Sequence, residues 1–577
     1  MRRIAIIGGG PRGLSALEEL FIELSNLNKE KEVIVSLFET SDNPGSGNIW
    51  NAEQLKTNWL NISERALKDL NSRNSLSVDG LNISEFPSYT NWLPEEEQHP
   101  EATAPDTFPE RSKLGTYLNE RFNSIAVELQ MQGFLKIIKS EVINIDYKDE
   151  VFSLKSEEDC YEFDEVLLTI GHQPTKLSDQ LKNWKKHEKS NSKLAVFEEP
   201  YPVEEILASD KINSESTVAI RGFGLAMIDV IRALTIGNGG EFEMINSKTF
   251  ESKFITSEAV PKKIVAFSLD GEPMVPKPLN AKIDKDFKPT NHEIEVFTQT
   301  ISENAHSNKK VLDNSFLIEA IAKIASRIYL DLKDRATTHS LQKKEIETII
   351  HSWLKDANYG HELIVPRTKK VTLKIKKFIK MGLGKEPFSL DYCVGQAWRH
   401  CQPSLYKEFS HSNLPEEVIA SVIALDERMK RYSYGPPIES MQQLLSLVNA
   451  NILELDLVED PEIKEVKSGW KLEKNTSKTI AQIMINSVLD APKIKAVTSP
   501  LICNLLSHKL IEPIHSDLGI NTHKNGCIEI SEEKDFIPLA VLGRLAKGSV
   551  IGVDAILECF GPRVKDWAKD AAERVRD

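Results

Sequence analysis

The sequence predicts an α/β fold made of two dinucleotide-binding units and a mostly α-helical insertion. Three observations carry that expectation. The chain opens on a β-branched run, Arg2 to Ile7, that meets glycines spaced Gly8-x-Gly10-x-x-Gly13, with a helical pattern following at Leu14, Leu17, Leu20, Phe21 and Leu24. Farther along, the arrangement returns as Thr217 to Ile220, then Gly222-x-Gly224, then a helix with Ile228, Ile231 and Leu234 on one side. From about Leu312 onward, apolar residues recur at helical spacing, with Phe316, Ile318, Ile321, Ile324, Ile328 and Leu332 forming one face.

Each glycine of the first turn has its own task. Gly8 allows a tight turn out of the strand, Gly10 lets a pyrophosphate approach the backbone, and Gly13 lets the helix pack close to the sheet. The phosphates then face free N–H groups and the positive end of a helix, so the predicted contact set runs through Gly8, Gly10, Pro11, Arg12, Gly13 and Leu14. A second apolar run, Val33 to Phe38, ends at Glu39, a carboxylate placed to accept from ribose hydroxyls.

The loop Asp42 to Trp50 follows, with Gly45 and Gly47 permitting close backbone approach and Trp50 offering a flat face. Thr57-Asn58-Trp59-Leu60-Asn61-Ile62-Ser63 is unusually polar and aromatic for a connector. A helix opens near Arg111, with Leu114, Tyr117, Leu118, Phe122 and Ile125 on its apolar face. Leu135–Ile138, Val142–Tyr147 and Val151–Leu154 read as an antiparallel set, and a buried strand ends in Thr169-Ile170-Gly171-His172-Gln173-Pro174.

In the second unit the third glycine position holds Met227, and Gly237 to Gly240 marks the helix end. A strand expected to end near Asn246-Ser247-Lys248 carries a cation where an acid would read a ribose, which suits a 2′-phosphate. Lys248 therefore favours NADPH, with NADH as the alternative. Ala266 to Pro278 is loop-rich and borders a candidate site. Helical patterns continue through Val394 to His400 and Pro415 to Tyr432, and Gly435-Pro436-Pro437 punctuates their end. A helix at Met441–Val448, short strands and an apolar run, Ile480–Val488, come next. The tail reads as a strand, a loop bounded by Gly543 and Gly548, and a helix from about Val550 to Phe560.

Composition excludes several classes. A net charge of −14 leaves nothing to offset phosphate repulsion, so a general nucleic-acid binder is excluded. No apolar run is long enough to span a bilayer, which predicts no membrane partner. The six cysteines are scattered with no Cys-x-x-Cys, which removes a zinc ribbon and a redox-cysteine flavin reductase, fits a reducing compartment and predicts a cytoplasmic protein. No His, Cys or Asp cluster has metal-ligand spacing.

The motifs together resemble the FAD/NAD(P)-binding flavoproteins that open Gly-Pro-Arg-Gly, relatives of class B flavin monooxygenases that include N-hydroxylating enzymes. The residues carrying the likeness are Gly8 to Leu14, Leu60-Asn61, Arg111 with Gly115, Thr169 to Pro174, Gly222-Phe223-Gly224 with Asp229, Trp398-Arg399-His400, Gly435-Pro436-Pro437, and Gly543-Arg544 with Gly548. The resemblance implies two interrupted Rossmann-like domains. An FAD domain would span 1–175 and return at 496–577; an NAD(P) domain would span 176–310 and return at 438–495, with the helical insertion at 311–437. It also implies FAD on the first cradle and the nicotinamide cofactor at Gly222 and Gly224. Trp50 and Asn61 would lie near the flavin, with Arg111, Gly171, Gly543, Gly548 and Ser549 as further cofactor contacts. One departure stands out: Gly543-Arg544 replaces the Gly-Asp pair that holds the ribityl chain in many relatives.

The activity implied is reductive activation of molecular oxygen. Hydride passes from NADPH to FAD, and a flavin C4a-hydroperoxide then transfers an oxygen atom to the nitrogen of a small amine or amino acid. That reading expects a dry pocket and no catalytic triad. Carboxylates on the substrate would want guanidinium partners, which makes Arg399 and, beside it, His400 the substrate-binding candidates. A flavin reductase or dehydrogenase without oxygen transfer, and a non-catalytic redox sensor, are the competing readings. A homo-oligomer is left open.

Overall fold

The computed structural model of the chain describes residues 1–575 except 79, 99, 158, 307–309, 490–492, 516–517 and 531–535. Two five-stranded sheets organise it. The first has the order Leu539–Val541, Glu165–Leu168, Arg2–Ile7, Val33–Phe38, Leu135–Ile138, every pair parallel. Successive side chains of a strand point to opposite faces, and here both faces are covered. Ile4 and Ile6 pack with the helices Pro11–Leu27, Arg111–Met131 and Pro562–Glu573, while Ala5 and Ile7 pack with a three-stranded antiparallel sheet, Val142–Lys148, Val151–Ser156 and Cys160–Phe163. Burial on both faces explains why the strands read as unbroken apolar runs.

The second sheet repeats the plan. Its order is Ala195–Phe197, Ile483–Asn486, Thr217–Arg221, Lys263–Phe267, Leu453–Glu454, again all parallel. Val218 and Ile220 face the helices Leu225–Thr235 and Ile438–Asn449; Ala219 and Val265 face the helix Asp179–Glu188 and the antiparallel strands around Trp470 and Leu472.

Between the two units, helices Asn291–His306, Ser315–Asp331, Lys343–Lys355, Leu390–Phe409 and Glu416–Ser433 share a separate core around Ile318, Ile321, Val394 and Trp398. Helix Val371–Gly382 ties that core to the second unit, with Phe378 and Met381 on one side and Ile375 and Ile379 on the other. The first unit also carries a buried ionic contact. Glu18 accepts from Arg121 at 2.8 Å and lies 3.5 Å from Arg73. Leaving such a buried charge unpaired costs about 3–5 kcal/mol.

Three expectations change. Leu135–Ile138 is the edge strand of the first parallel sheet, because the helix Arg111–Met131 is a crossover that returns the chain in the same direction. The strand leading to Lys248 is one arm of an exposed hairpin, Glu241–Asn246 against Glu251–Ile255. Its alternating glutamates suit water, and the apolar Lys263–Phe267 takes the place in the sheet. The last helix starts at Pro562 rather than near Val550; Gly552, at φ +80°, turns the chain first, and Leu557–Phe560 forms a single 3-10 turn. The helical periodicity from about Leu312 onward holds and resolves into two helices, separated at 332–342. Among the described residues no helix is long and apolar enough to cross a membrane, and no group of three or more His, Cys, Asp or Glu could hold a metal ion.

Candidate functional site

Both glycine turns are built from the same contacts. Gly8 has φ +103° and Gly222 φ +121°, a region that favours glycine. Gly8 N–H donates to Phe38 O at 2.8 Å, and Gly222 N–H donates to Phe267 O at 2.7 Å. A third strand pins each turn from the other side. Thr169 N–H donates to Ile7 O and Ser487 N–H donates to Arg221 O, both at 2.8 Å. The hydroxyls add a second hold, Thr169 Oγ1 to Gly8 O at 2.6 Å and Ser487 Oγ to Arg221 O at 2.8 Å. Gly10 and Gly224 are the N-caps of the helices that follow, and a Cβ on either would meet nothing within 4 Å. Each turn thus presents bare backbone and a helix N-terminus to open space, which fits a pyrophosphate.

The turns open onto one cavity of about 2440 Å³, walled by both units and by the insertion. The units are fastened beside it by Arg111, whose Nη2 donates to Asp229 at 2.5 Å and to the Tyr201 hydroxyl at 3.1 Å. The helix Arg111–Met131 lies tight on the loop before it, since a Cβ on Gly115 would stand 1.8 Å from Trp50 O. That contact places Trp50 in the cavity wall.

Both units and the insertion contribute to a charged wall. Arg65 pairs with Asp106 through Nη2 at 2.7 Å and with Asp284 at 3.2 Å. Asp284 also accepts from Arg399 and lies 3.3 Å from His400 Nε2. Burial opposes ionisation of Asp284, yet Arg399 and His400 hold its carboxyl well below the usual carboxylate range. Burial, then the Arg399 charge, pushes His400 below its ordinary value. Lys277 donates from Nζ to the carbonyl of Asn61. Burial, helped by Arg399, lowers Lys277 to about 7.

Gly8, Gly10, Pro11, Arg12, Glu39, Trp50, Asn61, Arg111, Gly171, Gly224 and Arg399 all line the cavity. The remaining predicted residues do not. Gly13 and Leu14 act from behind the cradle: a Cβ on Gly13 would stand 2.2 Å from Gly8 O, and Leu14 is fully buried in the helix core. Gly222 shapes its turn against Ser487. His400 touches Asp284 from outside the lining. Gly543 closes on the Arg12 guanidinium, which donates to Val553 O at 2.8 Å.

Three placements are corrections. Lys248 sits exposed on the hairpin turn and is not among the residues lining the cavity. Gly548 packs on Ile514 and Leu518. Ser549 is a buried strut, its hydroxyl donating to Ile520 O at 3.1 Å and accepting from Thr522 N–H at 3.0 Å. The returning chain lines the cavity on either side of them, at Leu542, Arg544 and Lys547 and again at Val553 to Cys559, where Asp554 pairs with Arg544 at 2.7 Å and with Lys430 at 2.9 Å. Sequence reading missed Arg65, Asp106, Lys277 and Asp284. The prolines flanking Lys277 and Asp270-Gly271 before it marked only a loop; nothing local marked the ion pairs, which join residues far apart in the chain.

Residues 5–173 match the FAD-NAD(P)-binding family, so this stretch is an FAD-NAD(P)-binding domain, and it contains the first cradle, Glu39 and Gly171. Nitrosuccinic acid synthase npaA of Aspergillus oryzae is 26% identical over 248 residues, 41% of this chain and 36% of that protein. The chain thus spans about a third of the length of the curated relative it matches. Among solved structures, ornithine hydroxylase (PvdA) from Pseudomonas aeruginosa aligns over 100% of both chains at 10% identity with a TM-score of 0.47. L-lysine 6-monooxygenase from Pseudomonas syringae does so at 10% identity and 0.45.

Proposed function

We propose that the protein is an FAD- and NADPH-dependent monooxygenase that oxidises the nitrogen of a small amine or amino acid. The observation carrying this reading is that two pyrophosphate cradles open onto one cavity whose remaining wall is rich in guanidinium and ammonium groups. The stretch shared with nitrosuccinic acid synthase supports the same chemistry. The overall reaction balances as R–NH₂ + O₂ + NADPH + H⁺ giving R–NHOH + H₂O + NADP⁺.

Gly10 and the helix behind it hold the FAD pyrophosphate, with Glu39 accepting from the adenosine ribose; Gly224 serves the nicotinamide cofactor in the same way. Bound flavin supplies hydride acceptance and oxygen activation. The protein contributes position, dryness and proton control. Arg399, held through Nη2 by Asp284 and through Nε by Gln396 at 3.0 Å, presents a fixed cation to a substrate carboxylate. Lys277, brought to about 7 by burial, can take at Nζ the proton that an ammonium substrate must lose before its nitrogen becomes a nucleophile.

The test is purification with FAD, then NADPH oxidation and oxygen uptake in air with amino acids, aspartate among them, and with simple amines. The expected result is a yellow protein whose NADPH consumption matches a hydroxylated, nitroso or nitro product by mass spectrometry. Consumption matched only by hydrogen peroxide across the panel would move the reading to a reductase. A protein that takes up no FAD would end it.

A further inference from the structure

Once Lys248 is removed from the second cradle, another group must read the adenosine end of the nicotinamide cofactor. The strand correspondence locates the place. Gly8 bonds Phe38 O and Gly222 bonds Phe267 O, so Ser268 stands where Glu39 stands in the first unit. The loop after it is held on one flank by Ser268 N–H donating to Val458 O at 2.7 Å and Asp460 N–H donating to Ser268 O at 2.8 Å. Its other flank meets the insertion. Buried Glu272 accepts from Lys374 at 2.7 Å, pairs with Arg431 at 3.1 Å and lies 3.7 Å from Arg367 Nε. Arg428 donates to the carbonyl of Trp353 at 2.6 Å. Asp270, the other acid of the loop, is engaged by Ser268 Oγ at 3.3 Å and Glu272 N–H at 3.1 Å.

Three cations therefore gather around Glu272 in the loop after strand Lys263–Phe267, with the Arg428 guanidinium beside Arg367 and Arg431. Lys374 and Arg431 are tied to Glu272. Arg367 is the loosest, its side chain 38% exposed and in the cavity wall. Resting on the reading that Gly224 holds the nicotinamide cofactor, we propose that Arg367 binds the 2′-phosphate of NADPH. A cation from the helical insertion thereby reads the cofactor held by the second sheet. The planar fork of an arginine matches phosphate oxygens in a way a lysine does not, and Arg428 and Arg431 add positive charge behind it.

Calorimetry on the FAD-loaded protein tests this without turnover, using adenosine 2′,5′-bisphosphate and 5′-AMP as probes. A charged hydrogen-bonded pair predicts that the wild type prefers the bisphosphate by at least about tenfold. Arg367→Gln should bring that ratio close to one while 5′-AMP affinity holds, Arg367→Lys should fall between, and Lys248→Gln should match the wild type. An unchanged ratio in Arg367→Gln with both probes still binding overturns the assignment of Arg367 alone. A wild-type ratio near one also overturns it, and points to Asp270 on an unphosphorylated ribose. If neither probe binds the wild type, the assignment of Gly224 falls, and this one with it.

Discussion

The two cradles share a three-strand frame but differ at the position where helix meets turn. In the first, Gly13 lies so close to the turn that a Cβ would stand 2.2 Å from Gly8 O; in the second, Met227 occupies that position, buried among Val218, Ile220 and Ile264. The first helix is therefore drawn onto its turn, and the second is held off by a side chain. A second difference lies one residue past the neighbouring strand, where Glu39 faces the first cradle and Ser268 stands beside the second. Glu39 accepts from Gly9 N–H at 2.7 Å and Ser41 N–H at 2.8 Å, which fixes a carboxylate at the ribose position. The first cradle is complete within its own unit, whereas the second borrows its charged groups from the insertion. That division suits one tightly kept cofactor and one that comes and goes.

Gly13→Ala gives the largest expected effect. The helix cannot retreat without moving Leu14, Leu17 and Leu20 out of the first core, so no folded, flavin-loaded protein should be recovered. Flavin absorbance after purification and a thermal melt check this. Met227→Ala should instead keep its flavin and lose about 2–5 kcal/mol, as buried methionine truncations do. A yellow Gly13→Ala protein of normal stability would show that the two helices are not held differently.

Gly10→Ala and Gly224→Ala separate the two assignments at smaller cost. Neither methyl meets a protein atom within 4 Å, so both variants should fold. Gly10→Ala should lose FAD, and Gly224→Ala should keep FAD and weaken NADPH by roughly tenfold or more, the effect of about 1.4 kcal/mol. Flavin titration and NADP⁺ calorimetry on both variants read the split. The same loss of both cofactors in either variant would mean that the cradles do not act separately.

Much of this frame was legible in the sequence because it is local. Strand, glycine turn and helix follow one another within a few residues at Ile4 to Leu24 and again at Val218 to Leu234, so period and spacing reveal them. The strands that pin the turns are distant, Thr169 and Ser487 being joined to Gly8 and Arg221 only by folding. The Lys248 expectation failed for a related reason. It took the next strand in the chain as the next strand in the sheet, but a solvated hairpin intervenes. Arg399 was visible as a candidate, while the carboxylate that fixes it, Asp284, lies 115 residues away.

The wall between the cradles gives the finest test. Lys277 comes from the loop after the second sheet's strand and bonds Asn61 of the first unit, so it touches both halves of the comparison. Its folded value of about 7 lies below the ordinary 10.5. Between those values the unfolded chain holds a proton that the folded chain lacks, so the burden of Lys277 on stability is full below about 7 and lifts as pH rises toward 10.5. Lys277→Met should therefore raise the melting temperature at pH 6, with the gain shrinking by pH 10. If Nζ takes the substrate's proton, wild-type kcat/KM should climb as pH rises through about 7. The variant should lose that limb along with roughly a hundredfold in rate, the low end for a positioned base. A variant that gains stability at pH 6 but keeps the wild-type pH profile would leave Lys277 a buried strut between the units and assign the proton to another group.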